Sequence, residues 1–389
     1  MFSKRTQWNQ LPNRFTRAQW DVRAAGIPIL DLSISNPTRV GLSYDEDGIL
    51  NALAQPGAMD HDPQPRGLLV ARQAVAEYYR DEHEGYDLDP ESLILATSTS
   101  EAYSHLFRLL CNPADEILVA KPSYPLFEFL ADLADVKLVP FPLLYDHGWQ
   151  IDFHSLYEAV TPRSRAVAVV HPNNPTGSYV KQEEITNLNC FCADNSLALI
   201  VDEVFLDYGH DGAPRSTFAQ NNDVLTFTLS GLSKISAMPQ MKVAWVVASG
   251  PDESKQEALA RLDVIADTYL SMNAPLQLAT PFFLQQRKKI QPLLLDRVRA
   301  NLLELDRQLS HQKTCSRLDV EGGWYVILRG PATQSDEDLA IDLLRQVAVL
   351  VHPGHFYDFS TDGYLVVSLI TPSEDFREGI HRILEVLNP

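Results

Sequence analysis

The feature that most constrains how this chain folds is an alternation that begins near residue 92. Seven short apolar runs recur at 93–96, 117–120, 137–140, 166–170, 197–201, 226–229 and 243–248. Apolar residues at helical spacing fill several intervals, at 101–110, 124–133 and 182–195. The runs do not alternate polar with apolar residues, so each is expected to be buried on both faces. That predicts an α/β fold: a mostly parallel, seven-stranded sheet sandwiched by helices. Ligands of such sheets gather at the carboxyl ends of the strands. Polar clusters stand at those ends here, at 97–101, 121–124, 171–177, 202–208 and 230–234.

The flanks read differently. Residues 1–44 look like an arm with a short strand near 30–34, and a turn cluster at 63–67 precedes a helical pattern over 68–79. After Pro275 a long helical pattern runs to about residue 309, and 318–387 alternates strand and helix. A chain of 389 residues exceeds one ordinary core. The expected division is a large domain over 45–289 and a small α+β domain built from 1–44 plus 290–389.

The net charge of −19 argues against a nucleic-acid or anionic-membrane partner, which needs a basic face. No apolar stretch approaches the roughly 18 residues of a membrane span, and MFSKRTQWNQ lacks a signal-peptide core. Cys190 and Cys192 are too close for a zinc knuckle. With Cys111 and Cys315 they read as reduced thiols of a cytoplasmic protein.

Each cluster supports two readings. Ser98-Thr99-Ser100 at a strand-to-helix junction is a phosphate site or an ordinary helix cap with Glu101. Tyr124 is a stacking platform for a planar ligand or a core tyrosine. Asn174 donates to a phenolate-type oxygen or simply makes a turn. Asp202 ends an apolar strand, and a buried carboxylate needs a cation, either a ligand's ring nitrogen or a nearby Arg or Lys. Lys234 ends Ser230-Gly231-Leu232-Ser233-Lys234, where burial lowers an amine's pKa and makes a nucleophile; otherwise it is a surface lysine after a strand.

The order NNPTG at 173–177, DEVF at 202–205 and SGLSK at 230–234 resembles the class I/II (fold type I) aminotransferases that use pyridoxal 5′-phosphate. The resemblance runs from about residue 30 to 375. It implies that Lys234 holds the cofactor as an internal aldimine and shuttles a proton. It implies that Asp202 pairs with the ring nitrogen, Asn174 bonds the 3′ oxygen, Tyr124 stacks on the ring, and Ser98, Thr99, Ser100 and Ser233 hold the phosphate. The expected partners are a small-molecule amino donor and a keto acceptor. The family's homodimer has shared sites, to which His61 and the 271–273 segment would contribute.

Four positions depart from that pattern. Lys242 replaces the arginine eight residues after the lysine, a point charge where the family has a bidentate fork. Phe205 replaces a tyrosine that donates to the 3′ oxygen, leaving Tyr208 as substitute donor. His61 stands near the position of a tyrosine that reaches the neighbouring phosphate. Val366 replaces the arginine that clamps the substrate carboxylate, leaving Arg39 and Arg329 as candidate substitutes. His355, in the loop 352–356, is a further candidate for substrate contact. The competing readings are a β-elimination or C–S lyase on the same fold and a non-catalytic pyridoxal-phosphate-binding regulator. A nucleotide-binding α/β protein fits worst, since neither a P-loop nor G-x-G-x-x-G is present.

Overall fold

Strands buried on both faces need apolar residues at every position, and the central strands have them. The computed structural model describes residues 1–387 except 84, 125, 214 and 271. In chain order its strands are β1 (Leu30–Asp31), β2 (Leu93–Ala96), β3 (Glu116–Lys121), β4 (Lys137–Tyr145), β5 (Trp149–Ile151), β6 (Ser164–Val170), β7 (Ala198–Asp202), β8 (Thr226–Gly231), β9 (Ala244–Ser249), β10 (Ser316–Arg317), β11 (Tyr325–Arg329), β12 (Val349–Leu350), β13 (His352–Pro353) and β14 (Tyr364–Ser368).

The large sheet has the order β2-β9-β8-β7-β6-β3-β4-β5. Parallel pairing runs through β4, β3, β6, β7 and β8. The pairs β8–β9, β2–β9 and β4–β5 are antiparallel. The sheet therefore has eight strands where seven were expected. The extra one, β5, is three residues long and pairs back on the end of β4.

Alternate residues of one strand feed opposite layers. Ala166, Ala168 and Val170 pack with the helices Thr99–Leu110 and Asp252–Tyr269, whereas Val167 and Val169 pack with the helix Gln182–Asp194. The Asp252–Tyr269 helix was not anticipated. Its charged first turns, DESKQE, hide an apolar stripe of Ala258, Leu259, Leu262 and Ala266.

A second, four-stranded sheet has the order β10-β11-β14-β13. The expected strand at 30–34 is only β1, which pairs in parallel with β12 and so ties the N-terminal segment to the C-terminal third. The helix Ala274–Leu309 packs against the helices Leu69–Glu82 and Ser373–Leu387.

Candidate active site

The carboxyl ends of the parallel strands open into a cavity of about 260 Å3. That is just below the range of small-molecule sites, about 300–1,000 Å3. Sheet register explains which groups meet there. Ala244 of β9 pairs with both Ala96 and Gly231, so the turn after β2 and the turn after β8 come side by side. Asp202 pairs with Val170 on one side and Leu229 on the other, which sets it between the asparagine loop and the lysine turn. Ser98, Thr99, Ser100, Tyr124, Asn174, Asp202, Ser233 and Lys234 all line this one cavity.

Ser98 caps the helix Thr99–Leu110, its Oγ accepting from the Glu101 amide at 3.2 Å, while Glu101 Oε2 accepts from the Thr97 amide at 2.6 Å. The two alternatives for this cluster therefore coexist: the cap is real, and the hydroxyls of the first helical turn also border the cavity, beside amides that have no intrahelical acceptor.

Lys234 lies in the short helix Leu232–Ile235. Gly231 before it is extended, and a Cβ there would come within 2.8 Å of the Val243 carbonyl oxygen, so only glycine lets the turn lie this close to β9. The Lys234 amine hangs over the Trp324 ring at 4.5 Å and the Phe205 ring at 5.2 Å. Burial pulls its pKa down to about 8, against the opposing pull of the Asp202 charge.

Asp202 is buried, and burial pushes its carboxyl up to about 6 although the Val204 amide donates to Oδ1 at 3.1 Å. Neither an arginine nor a lysine forms an ion pair with it among the described residues. Asn174 Oδ1 is buried at the cavity wall without a hydrogen-bond partner. The two ends of the amide fill the same space, so half a turn presents Nδ2 as a donor instead. These features fit a flat, phosphorylated, cationic heteroaromatic ring. The hydroxyls and helix N-terminus suit a phosphate, Asp202 suits a protonated ring nitrogen, and the unpaired Asn174 amide suits a ring oxygen.

Other expected residues lie elsewhere. The Tyr208 hydroxyl donates to the Lys234 carbonyl at 2.7 Å and does not line the cavity, so its bond supports the lysine's backbone. Lys242 is exposed, with positive φ, and off the lining, as are Arg39, Arg329, His355 and His61. Val366 is fully buried in β14, opposite Ile327 and His352. Of the 271–273 segment, Ser271 falls outside the described residues, Met272 is buried and Asn273 caps the following helix.

The sequence reading missed Ser35, Tyr103 and Tyr325, which line the cavity, and Trp324, which sits beneath Lys234. Tyr103 lies one helical turn beyond Ser100, its buried hydroxyl beside Asp202 without a hydrogen bond of normal geometry. The Tyr325 hydroxyl faces Ser35, and burial raises its pKa. The glycine pair Gly322-Gly323 ahead of two aromatics was the available signal for Trp324 and Tyr325.

The family model for aminotransferase class I and II matches residues 47–383. A glutamate-pyruvate aminotransferase AlaA of Haemophilus influenzae is 27% identical over 354 residues, 88% of this chain and 87% of that protein. An alanine aminotransferase of Mycobacterium tuberculosis is 28% identical over 374 residues, covering 93% of this chain and 86% of that protein. Among solved structures, an alanine aminotransferase from Pyrococcus furiosus superposes with a TM-score of 0.89 at 22% identity, covering 100% of this chain and 99% of that one. At that identity the likeness speaks for the fold.

Proposed function

This chain belongs to the aminotransferase class I and II family, and we propose that its cavity residues divide the family's chemistry among them in a specific way. It is a pyridoxal 5′-phosphate-dependent aminotransferase, which moves an amino group between an amino donor and a keto acceptor. The cofactor, when bound, supplies the electron sink for bond changes at the donor's carbon. Lys234 is the attachment point. Its Nζ, with a pKa near 8, is neutral often enough at neutral pH to act as a nucleophile and to accept and return a proton. Asp202 holds the proton of the ring nitrogen by ion pairing. Asn174 donates to the ring oxygen. Ser98, Thr99, Ser100 and Ser233 take the phosphate, and Tyr124 covers the ring. The observation that carries this reading is the convergence of all eight groups on one cavity.

We further propose a homodimer in the cytoplasm. Exposed apolar side chains of Met59, Leu69, Val70, Val264, Tyr269 and Leu270 support the dimer. The four free thiols support the compartment. No helix of the described residues is long and apolar enough to cross a membrane. The proposed large domain spans 45–289, and 1–44 with 290–389 form the small one.

The test is spectroscopic. Purified protein should carry the absorbance of the lysine-linked cofactor, and Lys234→Ala should lose it. An amino donor alone should convert that spectrum to the pyridoxamine form, and a keto acceptor should restore it. Steady release of ammonia without an acceptor would defeat the aminotransferase assignment in favour of elimination.

A further inference from the structure

The cavity is poor in positive charge. Among the described residues lining it, only Lys234 and Asp202 bear charged side chains. On the reading above, both are committed to the cofactor. What remains for a substrate is Ser35, Tyr124, Phe127, Leu130 and Tyr325: two apolar groups, two phenols and one alcohol. Phe127 is buried, and the Tyr325 hydroxyl already faces Ser35. Arg39 and Arg329 are exposed and off the lining. Val366 fills its place in the sheet core without leaving room for a cation.

A carboxylate against this wall gives up its hydration for hydroxyl donors alone, and an unpaired buried anion is heavily penalised. A neutral substituent gives up little, and an apolar or aromatic one gains by burial. The incoming amine is a cation, which aromatic faces attract and which a net charge of −19 draws towards the protein.

We infer that the preferred amino donor is a primary amine whose reacting carbon bears neutral substituents, apolar, aromatic or hydroxyl-bearing, in place of a carboxylate. This rests on the aminotransferase reading of the same cavity. The donor gives up its amino group and the hydrogen of the carbon that bore it and leaves as an aldehyde or ketone. The acceptor exchanges its carbonyl oxygen for that amino group and gains a hydrogen on carbon, so no outside oxidant enters. Both partners pass through one cavity, so the acceptor is likewise an aldehyde or ketone without an adjoining carboxylate.

The experiment compares donors that differ only at that group: L-alanine with L-alaninol, and L-phenylalanine with L-phenylalaninol. Single-turnover conversion of the cofactor spectrum is followed in the wild-type protein. Binding is measured by calorimetry on cofactor-loaded Lys234→Ala. The amino alcohol of each pair should react faster and bind tighter, by at least about tenfold. An amino acid that matches or beats its alcohol in either assay overturns the inference. If no donor alters the wild-type spectrum, the aminotransferase reading itself fails. Calorimetry still ranks each pair in that case, so the two failures are told apart.

Discussion

Asp202 shows how one residue trades stability for cofactor binding. Its carboxyl titrates near 6 in the fold, above its usual value of 3.8, because burial disfavours the charged form. Below about pH 4 it is protonated whether the chain is folded or not, and nothing is lost. As pH rises through 6 the unfolded chain ionises more readily, and the fold loses up to about 3 kcal/mol. Asp202→Asn keeps an oxygen for the Val204 amide and removes the charge. Denaturant unfolding of the cofactor-free variant should therefore show a gain over wild type at pH 8 that fades by pH 4, while its affinity for pyridoxal phosphate falls. Equal stability at both pH values would contradict this account. Tyr208 makes the opposite case. Its hydroxyl serves the Lys234 carbonyl, so Tyr208→Phe leaves a buried carbonyl unpaired and should cost about 1–3 kcal/mol in unfolding experiments. The pH titration of the bound cofactor's absorbance should not move, whereas a tyrosine that donated to the cofactor would shift it. Local sequence exposed Asp202 because a carboxylate closing an apolar strand stands out. It misassigned Tyr208 because the direction of a hydroxyl is decided by packing between distant segments.

At the scale of elements, the site depends on loops stitched together by close glycine contacts. The turn carrying Asn174 ends at Gly177, whose carbonyl accepts from the Gly322 amide at 2.9 Å. The next amide, of Gly323, donates to the Tyr208 carbonyl at 2.9 Å, and Gly322 bridges Gly209. The segment leading into Trp324 is thus threaded between the loops after β6 and β7. Lys181 pairs with Glu321 across the same junction. Gly177 has φ +68°, and a Cβ on it would lie 2.4 Å from the Gly322 carbonyl oxygen. Gly26 has a similar φ of +71° with nothing within 4 Å. Gly26→Ala should then cost only the left-handed backbone term, about 1–2 kcal/mol. Gly177→Ala should cost clearly more, about 3 kcal/mol or above, because backbone must move. Thermal unfolding of the two variants checks this, and equal losses would remove the stitching argument. The strands were readable because a core strand buried on both faces is apolar throughout. β5 was not, since three residues carry no period, and the Gly177–Gly322 contact was not, since it joins residues 145 positions apart. Ser35, Trp324 and Tyr325 escaped for that reason too: they reach the cavity from segments far along the chain.

At the scale of the whole molecule, one face is left unfinished. Arg66 grips Asp263 with Nε–Oδ1 at 2.6 Å, and Gln277 Oε1 accepts from the Leu68 amide at 2.5 Å. These bonds bring 66–70 against 263–277, and along this seam Leu69, Val70, Val264, Tyr269 and Leu270 project into solvent. Leu270 is 72% exposed although its backbone is held at φ +67°, an unfavourable conformation for a side chain with nothing to pack against. Scattered exposed apolar residues are ordinary, but a contiguous patch marks an interface. It lies beside the segment carrying His61 and the start of the Ala274–Leu309 helix. A second copy related by a two-fold axis would cover both patches at once, because such an interface is self-complementary. Sedimentation equilibrium should therefore give twice the chain mass of 43.6 kDa. Val264→Glu with Leu270→Glu places two anions in that contact and should shift the protein to monomer. If partner residues complete the phosphate end of the site, the monomer should also hold pyridoxal phosphate at least about tenfold more weakly. A wild-type monomer would refute the interface, and a variant monomer that binds the cofactor undiminished would show that each chain completes its own site.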